Sequence, residues 1–424
     1  MDLQALLTDL KGCPCGREHT VSLKKVEIYS GAVHNMGNML RELGFPDRLH
    51  VVADENTLSA SNGLIPSLEK AGFKISMTLY DDMHNATSEA QEQIMVESAD
   101  AGAILAVGTG SINDMSRLTA FKKGIDYAIF ATAPSMDGFA STVSAITENG
   151  FKNTHPGKSP VGIFADCDIL GRSPIRLKAA GFADIMGKYT SLADWKIANL
   201  VTGEYYCNAI ADLTVKAVNK CKDLADKVST NEPEAAGSLM EALVISGVAM
   251  QLAGNSRPAS AAEHHISHFW EMMFLRDGIK EELHGKKVGI AEGIVADYYH
   301  RIAQLETIVT ASKPFQVADI KKAFGDALAA GIIHENTPDP LDEVDTERLK
   351  AVWPEVRKIL LDLPSSNEIK AILKSAHAAT EPFEAHVEDD LVEKGIVYGR
   401  YVRRRLTVLR MSDLIANFSY KYNG

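Results

Sequence analysis

The strongest constraint on the fold is a change of rhythm near residue 174. Before it, short runs rich in β-branched residues alternate with amphipathic, Ala-rich stretches, the spacing of βαβ units around a mostly parallel sheet. Strands are predicted at Val26–Tyr29, Leu49–Ala53, Lys74–Leu79, Ala103–Val107, Tyr127–Thr132 and Val161–Asp166. Gly or Asp stands near several of their carboxyl ends, where a doubly wound sheet would form a ligand crevice. After Gly171-Arg172-Ser173-Pro174 apolar residues recur at three- and four-residue spacing instead. That pattern predicts helices over 176–201, 204–228, 234–253, 258–275, 285–306 and 317–329. Shorter ones should follow, punctuated by Pro338, Pro340, Pro354 and Pro364. The expected fold class is an α/β domain with a mostly parallel, Rossmann-like sheet over 1–174, followed by an all-α domain over 175–424. A chain of 424 residues is long for one core, so two domains sharing a cleft are the natural expectation.

Composition narrows the function classes. Hydrophobic residues at 46% and charged ones at 24% are the balance of a soluble globular protein. A formal net charge of -12 argues against nucleic acid, whose binding needs clustered cations, and the run Arg403-Arg404-Arg405 is too short to change that. No uninterrupted apolar stretch approaches the ~20 residues that span a bilayer, and Met1 to Leu10 lacks a leader pattern, so a cytoplasmic protein with no membrane partner is expected. The five cysteines, at 13, 15, 167, 207 and 221, suit reduced thiols. Cys13, Cys15 and His19 look like half a zinc site, but no second Cys/His pair follows nearby, which favours a surface turn or a structural role.

Four groups of residues carry candidate chemistry. Gly108-Thr109-Gly110-Ser111-Ile112-Asn113-Asp114 follows a predicted strand and opens a helix, so its backbone N–H groups suit an anion; a ligand-free strand-to-helix turn would use the same glycines. Asp54, ending another strand, can accept from a ribose hydroxyl or cap a helix. Thr132-Ala133-Pro134-Ser135-Met136-Asp137-Gly138-Phe139-Ala140-Ser141 gathers hydroxyls and a carboxylate at the sheet edge, with an N-cap as the plainer reading. In the helical half, His264 and His268 project from one helix face. His284 opens a later helix, and Asp184 is a carboxylate on an apolar one. Two imidazoles from different helices plus a carboxylate would leave open positions on a catalytic divalent metal. Singly, each is equally a satisfied core group.

Together, Gly108-Thr109-Gly110-Ser111, Thr132 to Ser141, Gly181-Phe182-Ala183-Asp184, Ser256-Arg257-Pro258-Ala259-Ser260 leading into Glu263-His264, and His284-Gly285 resemble the sn-glycerol-1-phosphate dehydrogenase family, nearest its bacterial, AraM-type branch. The resemblance runs from about residue 20 to 310. It implies a fold of the dehydroquinate synthase-like and iron-containing alcohol dehydrogenase type, and reduction of dihydroxyacetone phosphate by NAD(P)H in a cytoplasmic homodimer serving phospholipid biosynthesis. It also implies one metal, zinc or nickel, on Asp184, His264 and His284. Asp137, His268 and Asp184 would contact substrate and carry catalysis. The nicotinamide cofactor would lie along Asp54, Gly110, Ser111, Ile112, Asn113, Asp114, Thr132, Ala133, Pro134, Ser135 and Ser141. Thr109 and Ala261 stand where glycine is common in the family. Arg257, Lys158 and Lys286 are candidates for the substrate phosphate on charge alone. A polyol dehydrogenase or a sugar-phosphate cyclase is the alternative. Cyclases of this fold typically have Glu in place of Asp184 and a different segment around Met136-Asp137-Gly138.

Overall fold

A computed structural model describes residues 2–148, 151–311 and 316–422. Its main sheet has six parallel strands, β1 (Lys25–Tyr29), β2 (Arg48–Asp54), β3 (Lys74–Tyr80), β4 (Ala103–Gly108), β5 (Asp126–Ala131) and β8 (Gly162–Asp166), in the order β1-β8-β5-β4-β2-β3. These are the six predicted strands. β4 reads Ala-Ile-Leu-Ala-Val-Gly and is buried at every position, as a central parallel strand covered on both sides must be.

The remaining two strands, β6 (Val143–Glu148) and β7 (Phe151–Pro156), form an antiparallel hairpin that the sequence reading missed. Its sequence is largely polar, and the side chains described are mostly half-exposed or exposed, so the apolar pattern carried little weight, although Asn149-Gly150 between the two runs is a hairpin signal in the sequence.

The helical part begins earlier than expected, with Cys167–Arg172 directly after β8. The predicted 176–201 helix is two, Ile175–Met186 and Lys188–Thr202, meeting at Gly187. The other predicted helices are Asn208–Lys222, Pro233–Ala253, Ala262–Arg276, His284–Ile302 and Val317–Glu335, and beyond them lie Ser366–Ser375, Asp389–Tyr398 and Thr346–Leu361, which runs through Pro354 instead of ending there.

Each side of the sheet has its own apolar cover. Val51, Val107, Phe130 and Phe164 pack with Leu40 and Leu64 from the flanking helices. On the other side Ile104, Ile129 and Ile163 share a core with Met240, Val244 and Val248. Those three belong to helix Pro233–Ala253, so the helical part covers one side of the sheet. By length and hydropathy (1.4) this helix alone among the described residues could cross a membrane, but 72% of that window is buried inside the fold, which makes it a core helix.

Candidate active site

The chain runs from β2 to β3 on one side and then returns to place β4 on the opposite flank of β2. This reversal opens a crevice at the carboxyl ends. Ala53 pairs with Val107, and Gly108 with Ala131, so Asp54, Gly108–Gly110 and Thr132 end three neighbouring strands side by side. Helix Gly110–Lys123 starts there from an extended Thr109 that supplies no side-chain cap, leaving first-turn N–H groups for an anion.

The other cofactor candidates divide. Thr132 N donates to Gly108 O (3.2 Å) and Ser135 N to Ala133 O (3.1 Å), folding Thr132 to Ser135 over the crevice. Asp54 caps a short helix, Oδ1 accepting from Thr57 N at 2.8 Å and Oδ2 from Met83 N at 3.4 Å, so the N-cap reading is realised. Ser111 Oγ donates to His84 O (2.8 Å). Ile112 and Asn113 are buried. Asp114 holds Arg117 (2.5 Å) and Ala145 N (3.3 Å), anchoring the hairpin, and Ser141 Oγ accepts from Val143 N (3.1 Å) at its start.

Asp184, His264 and His284 come from three different helices, and one ligand atom of each lies within 4.8 Å of the others. His264 Nε2 is 3.6 Å from Asp184 Oδ1, and the His264 and His284 ring centroids are 5.2 Å apart. Two glycines permit the approach. A Cβ at 285 would lie 1.9 Å from Ala180 O, and one at 181 would lie 2.0 Å from Pro134 O. The Asp184 helix is thereby clamped between the His284 helix and the Thr132–Ser141 loop. That loop joins the two halves of the site: Asp137 N donates to Asp184 Oδ2 (2.9 Å), while Met136 Cε approaches to 3.6 Å of where a Gly110 Cβ would stand.

Outside the three lies a layer of carboxylates. Glu263 Oε1 holds His264 Nδ1 (2.7 Å) and takes Thr190 Oγ1 on its other oxygen (3.0 Å). Glu271 holds His284 Nδ1 (3.1 Å) through one oxygen and His268 Nδ1 (2.9 Å) through the other. With Nδ1 occupied as a donor, each imidazole keeps its Nε2 lone pair for a ligand. Glu271 also groups with His268 and His284 as a possible ligand set, but both its oxygens already serve imidazoles and Lys287 Nζ lies 3.1 Å away, which suits an orienting role. His268 stacks on His284 at 5.4 Å.

Fully buried Lys188 bridges Asp137 Oδ2 (2.8 Å) and Asp184 Oδ1 (2.9 Å), and Ser246 Oγ donates to Asp137 Oδ2 (2.9 Å). Burial alone would raise the Asp184 carboxyl, but Lys188 and His264 outweigh it and hold it below the usual carboxylate range. Burial would lower His264, yet its bonds to Asp184 and Glu263 carry it up to about 9. The carboxylates thus favour positive charge between the imidazoles, and a two-nitrogen, one-oxygen donor set fits a divalent ion there. Burial pushes His268 below its ordinary value, keeping it neutral.

Sequence reasoning missed Lys188, Glu271, Ser246 and Thr190. Lys188 follows Asp184 by four residues and Glu271 follows His268 by three, spacings that could have flagged both. Two of the three phosphate candidates are engaged elsewhere: Lys158 with Asp126, and Arg257 with Glu204 and Leu406 O. Charge alone could not reveal these partners. Lys286, near Glu282 (3.3 Å), stays beside His284.

A family model for iron-containing alcohol dehydrogenase matches residues 27–174. A glycerol-1-phosphate dehydrogenase [NAD(P)+] of Geobacillus stearothermophilus is 32% identical over 415 residues, covering 96% of each chain. One from Methanothermobacter thermautotrophicus is 33% identical over 267 residues, 62% of this chain and 75% of the relative. Among solved structures, an alcohol dehydrogenase from Oenococcus oeni matches with a TM-score of 0.62 at 15% identity, over 90% of this chain and 94% of that one, a likeness of fold. By 32% identity to the Geobacillus stearothermophilus enzyme over 96% of its length, the chain belongs to the glycerol-1-phosphate dehydrogenase family, with a sheet region that matches the iron-containing alcohol dehydrogenase model.

Proposed function

We propose that this chain is an NAD(P)-dependent, metal-dependent oxidoreductase that reduces dihydroxyacetone phosphate to sn-glycerol 1-phosphate. The observation that carries the reading is the convergence of Asp184, His264 and His284 beside a loop that also borders the sheet-edge crevice. The relatives named above carry that activity in their names. Residues 1–174 would hold the cofactor and 175–424 the metal and substrate.

When bound by those three side chains, zinc or nickel would supply a Lewis acid for the ketone oxygen, and the nicotinamide the hydride. The chain's own residues do the rest. Glu263 and Glu271 fix the ring planes of His264 and His284 through Nδ1. Lys188 keeps Asp184 ionised and balances Asp137. His268, held by Glu271 through Nδ1 and neutral, would accept at Nε2 from a substrate hydroxyl or a water, so that water held near Asp137 would bring the proton to the substrate oxygen. Asp137, pinned by Lys188 and Ser246, would accept from a substrate hydroxyl. Lys286 is the cation left for the phosphate. The cofactor would contact Gly110 to Asn113 and Thr132 to Ser135. Asp54 would reach the ribose with lone pairs beyond its cap, while Asp114 and Ser141 would shape the crevice wall. By its family resemblance the chain would act as a cytoplasmic homodimer on small-molecule partners, and its net negative charge disfavours nucleic acid.

The test is substrate-dependent consumption of reduced cofactor by protein stripped and reloaded with zinc or nickel. Dihydroxyacetone phosphate should be turned over, with dihydroxyacetone far slower and a heptulosonate phosphate giving no net oxidation. Faster turnover of the unphosphorylated ketone would assign a polyol dehydrogenase instead.

A further inference from the structure

We propose that Cys13, Cys15, His19 and Cys207 form a second metal centre, a closed zinc site that fastens the amino-terminal segment to the helical part of the chain. The first three residues are half a site by sequence. The other half is Cys207, separated from His19 by 188 positions, which is why spacing alone cannot reveal it. Folding brings one ligand atom from each of the four to within 4.8 Å of the rest.

Of three ligand-to-ligand separations, two match a tetrahedron and the third, between Cys15 and His19, is shorter. Zinc–sulfur bonds of about 2.3 Å and zinc–nitrogen bonds of about 2.0–2.1 Å give ligand-to-ligand edges of roughly 3.5–3.8 Å. Cys13 Sγ lies 3.5 Å from Cys207 Sγ, Cys15 Sγ 3.2 Å from His19 Nε2, and Cys207 Sγ 3.7 Å from His19 Nε2. The ligands are also oriented. His19 Nδ1 meets Leu252 O at 3.0 Å, which makes it the donor and turns the Nε2 lone pair toward the sulfurs. Gly16 N donates to Cys13 O (3.1 Å), and Gly16 at φ 78 closes the turn that carries both Cys13 and Cys15.

Three thiolates and one imidazole are the donor set of a structural zinc site, with no coordination position left for substrate. A Cys13–Cys207 disulfide is the rival, since the sulfurs are near each other. It would leave the convergence of Cys15 and His19 on the same point without a cause.

The location indicates a role. Between Asp2 and β1 the one regular element is the short helix Leu3–Asp9, whose Leu3 joins the apolar core together with Leu10, Cys207 and Ile210. Cys207 is fully buried and directly precedes helix Asn208–Lys222. An ion here would tie a segment with one short helix of its own to a buried helix start, adding binding energy to folding. The site shares no residue with the Asp184 centre, so its failure would leave the proposed reaction untouched.

The experiment uses the full-length protein purified under reducing conditions without chelator, with metal counted by mass spectrometry and ligands read by zinc X-ray absorption. Wild type should carry two ions per chain and a sulfur shell near 2.3 Å. His264→Ala should lose one ion and keep the sulfur shell. The double variant Cys13→Ser/Cys15→Ser should lose the sulfur shell, keep the nitrogen- and oxygen-bound ion, and unfold at a lower temperature. Because the wild-type spectrum decides the matter, misfolding of a variant cannot obscure it. Absence of sulfur scattering in wild type, or a Cys13–Cys207 disulfide in its peptide map, would overturn the proposal.

Discussion

Lys188 shows most plainly how single residues set the site's chemistry. It is fully buried between Asp137 and Asp184, and removing one partner of a buried charge cluster typically costs about 3–5 kcal/mol. Lys188→Met should therefore lower the thermal midpoint and reduce kcat/KM by at least about 100-fold, the scale expected when neighbouring charges lose their partner. A variant with wild-type stability and turnover would show that the bridge is not used. Glu271→Gln keeps the side-chain shape and should be gentler on the fold, but one amide cannot serve two Nδ1–H donors as the carboxylate does. Metal affinity is expected to fall by about 10–100-fold, measurable by competition with a chromophoric chelator. At this scale the pair His264 and His268 stood out because two imidazoles on one helix face are uncommon, whereas grouping His264 with Asp184 and His284, which the fold brings together, took the family resemblance. Lys188 and Glu271 were not legible, since Lys and Glu usually cover solvated helix faces, so that their spacing from Asp184 and His268 carried little weight until their burial was seen.

Among elements, the contact between helices Ile175–Met186 and His284–Ile302 governs the geometry. Gly285→Ala would put a methyl 1.9 Å from Ala180 O, so the helices must separate. A loss of about 1–3 kcal/mol is expected from overpacking, together with weaker metal binding because Asp184 and His284 ride on those two helices; unchanged metal affinity would contradict the clamp. In the sheet, His50 on β2 hydrogen-bonds Ser76 Oγ (2.8 Å) and Thr78 Oγ1 (2.9 Å) of β3. Burial depresses its pKa from 6.5 to about 4. The unfolded chain therefore takes up the proton first as pH falls, and stability drops between pH 6.5 and about 4, by on the order of 3 kcal/mol at about 1.4 per pH unit. His50→Gln should flatten this slope in urea titrations across that range; an equally steep slope would assign it to other groups. The six parallel strands were legible because central strands are apolar throughout. The β6–β7 hairpin, largely polar, and the break at Gly187, within an unbroken helical periodicity, were not.

For the whole molecule, the switch from βαβ rhythm to helices put the change at residue 174, after the helices have already begun at Cys167, and said nothing of how the parts pack. Helix Pro233–Ala253 lies on the sheet and shares its core. Urea unfolding followed by far-ultraviolet circular dichroism and by tryptophan fluorescence, with Trp195, Trp270 and Trp353 all in the helical part, should give coincident transitions. Well-separated midpoints would mean that the parts fold independently. The central claim is the shared ion, and diffraction at the absorption edge of the loaded metal, from crystals of reloaded enzyme, tests it most directly. The expected result is an anomalous peak within about 2.0–2.2 Å of His264 Nε2, His284 Nε2 and an Asp184 carboxylate oxygen. A peak bound instead by His268 and Glu271, or none between Asp184, His264 and His284, would contradict it.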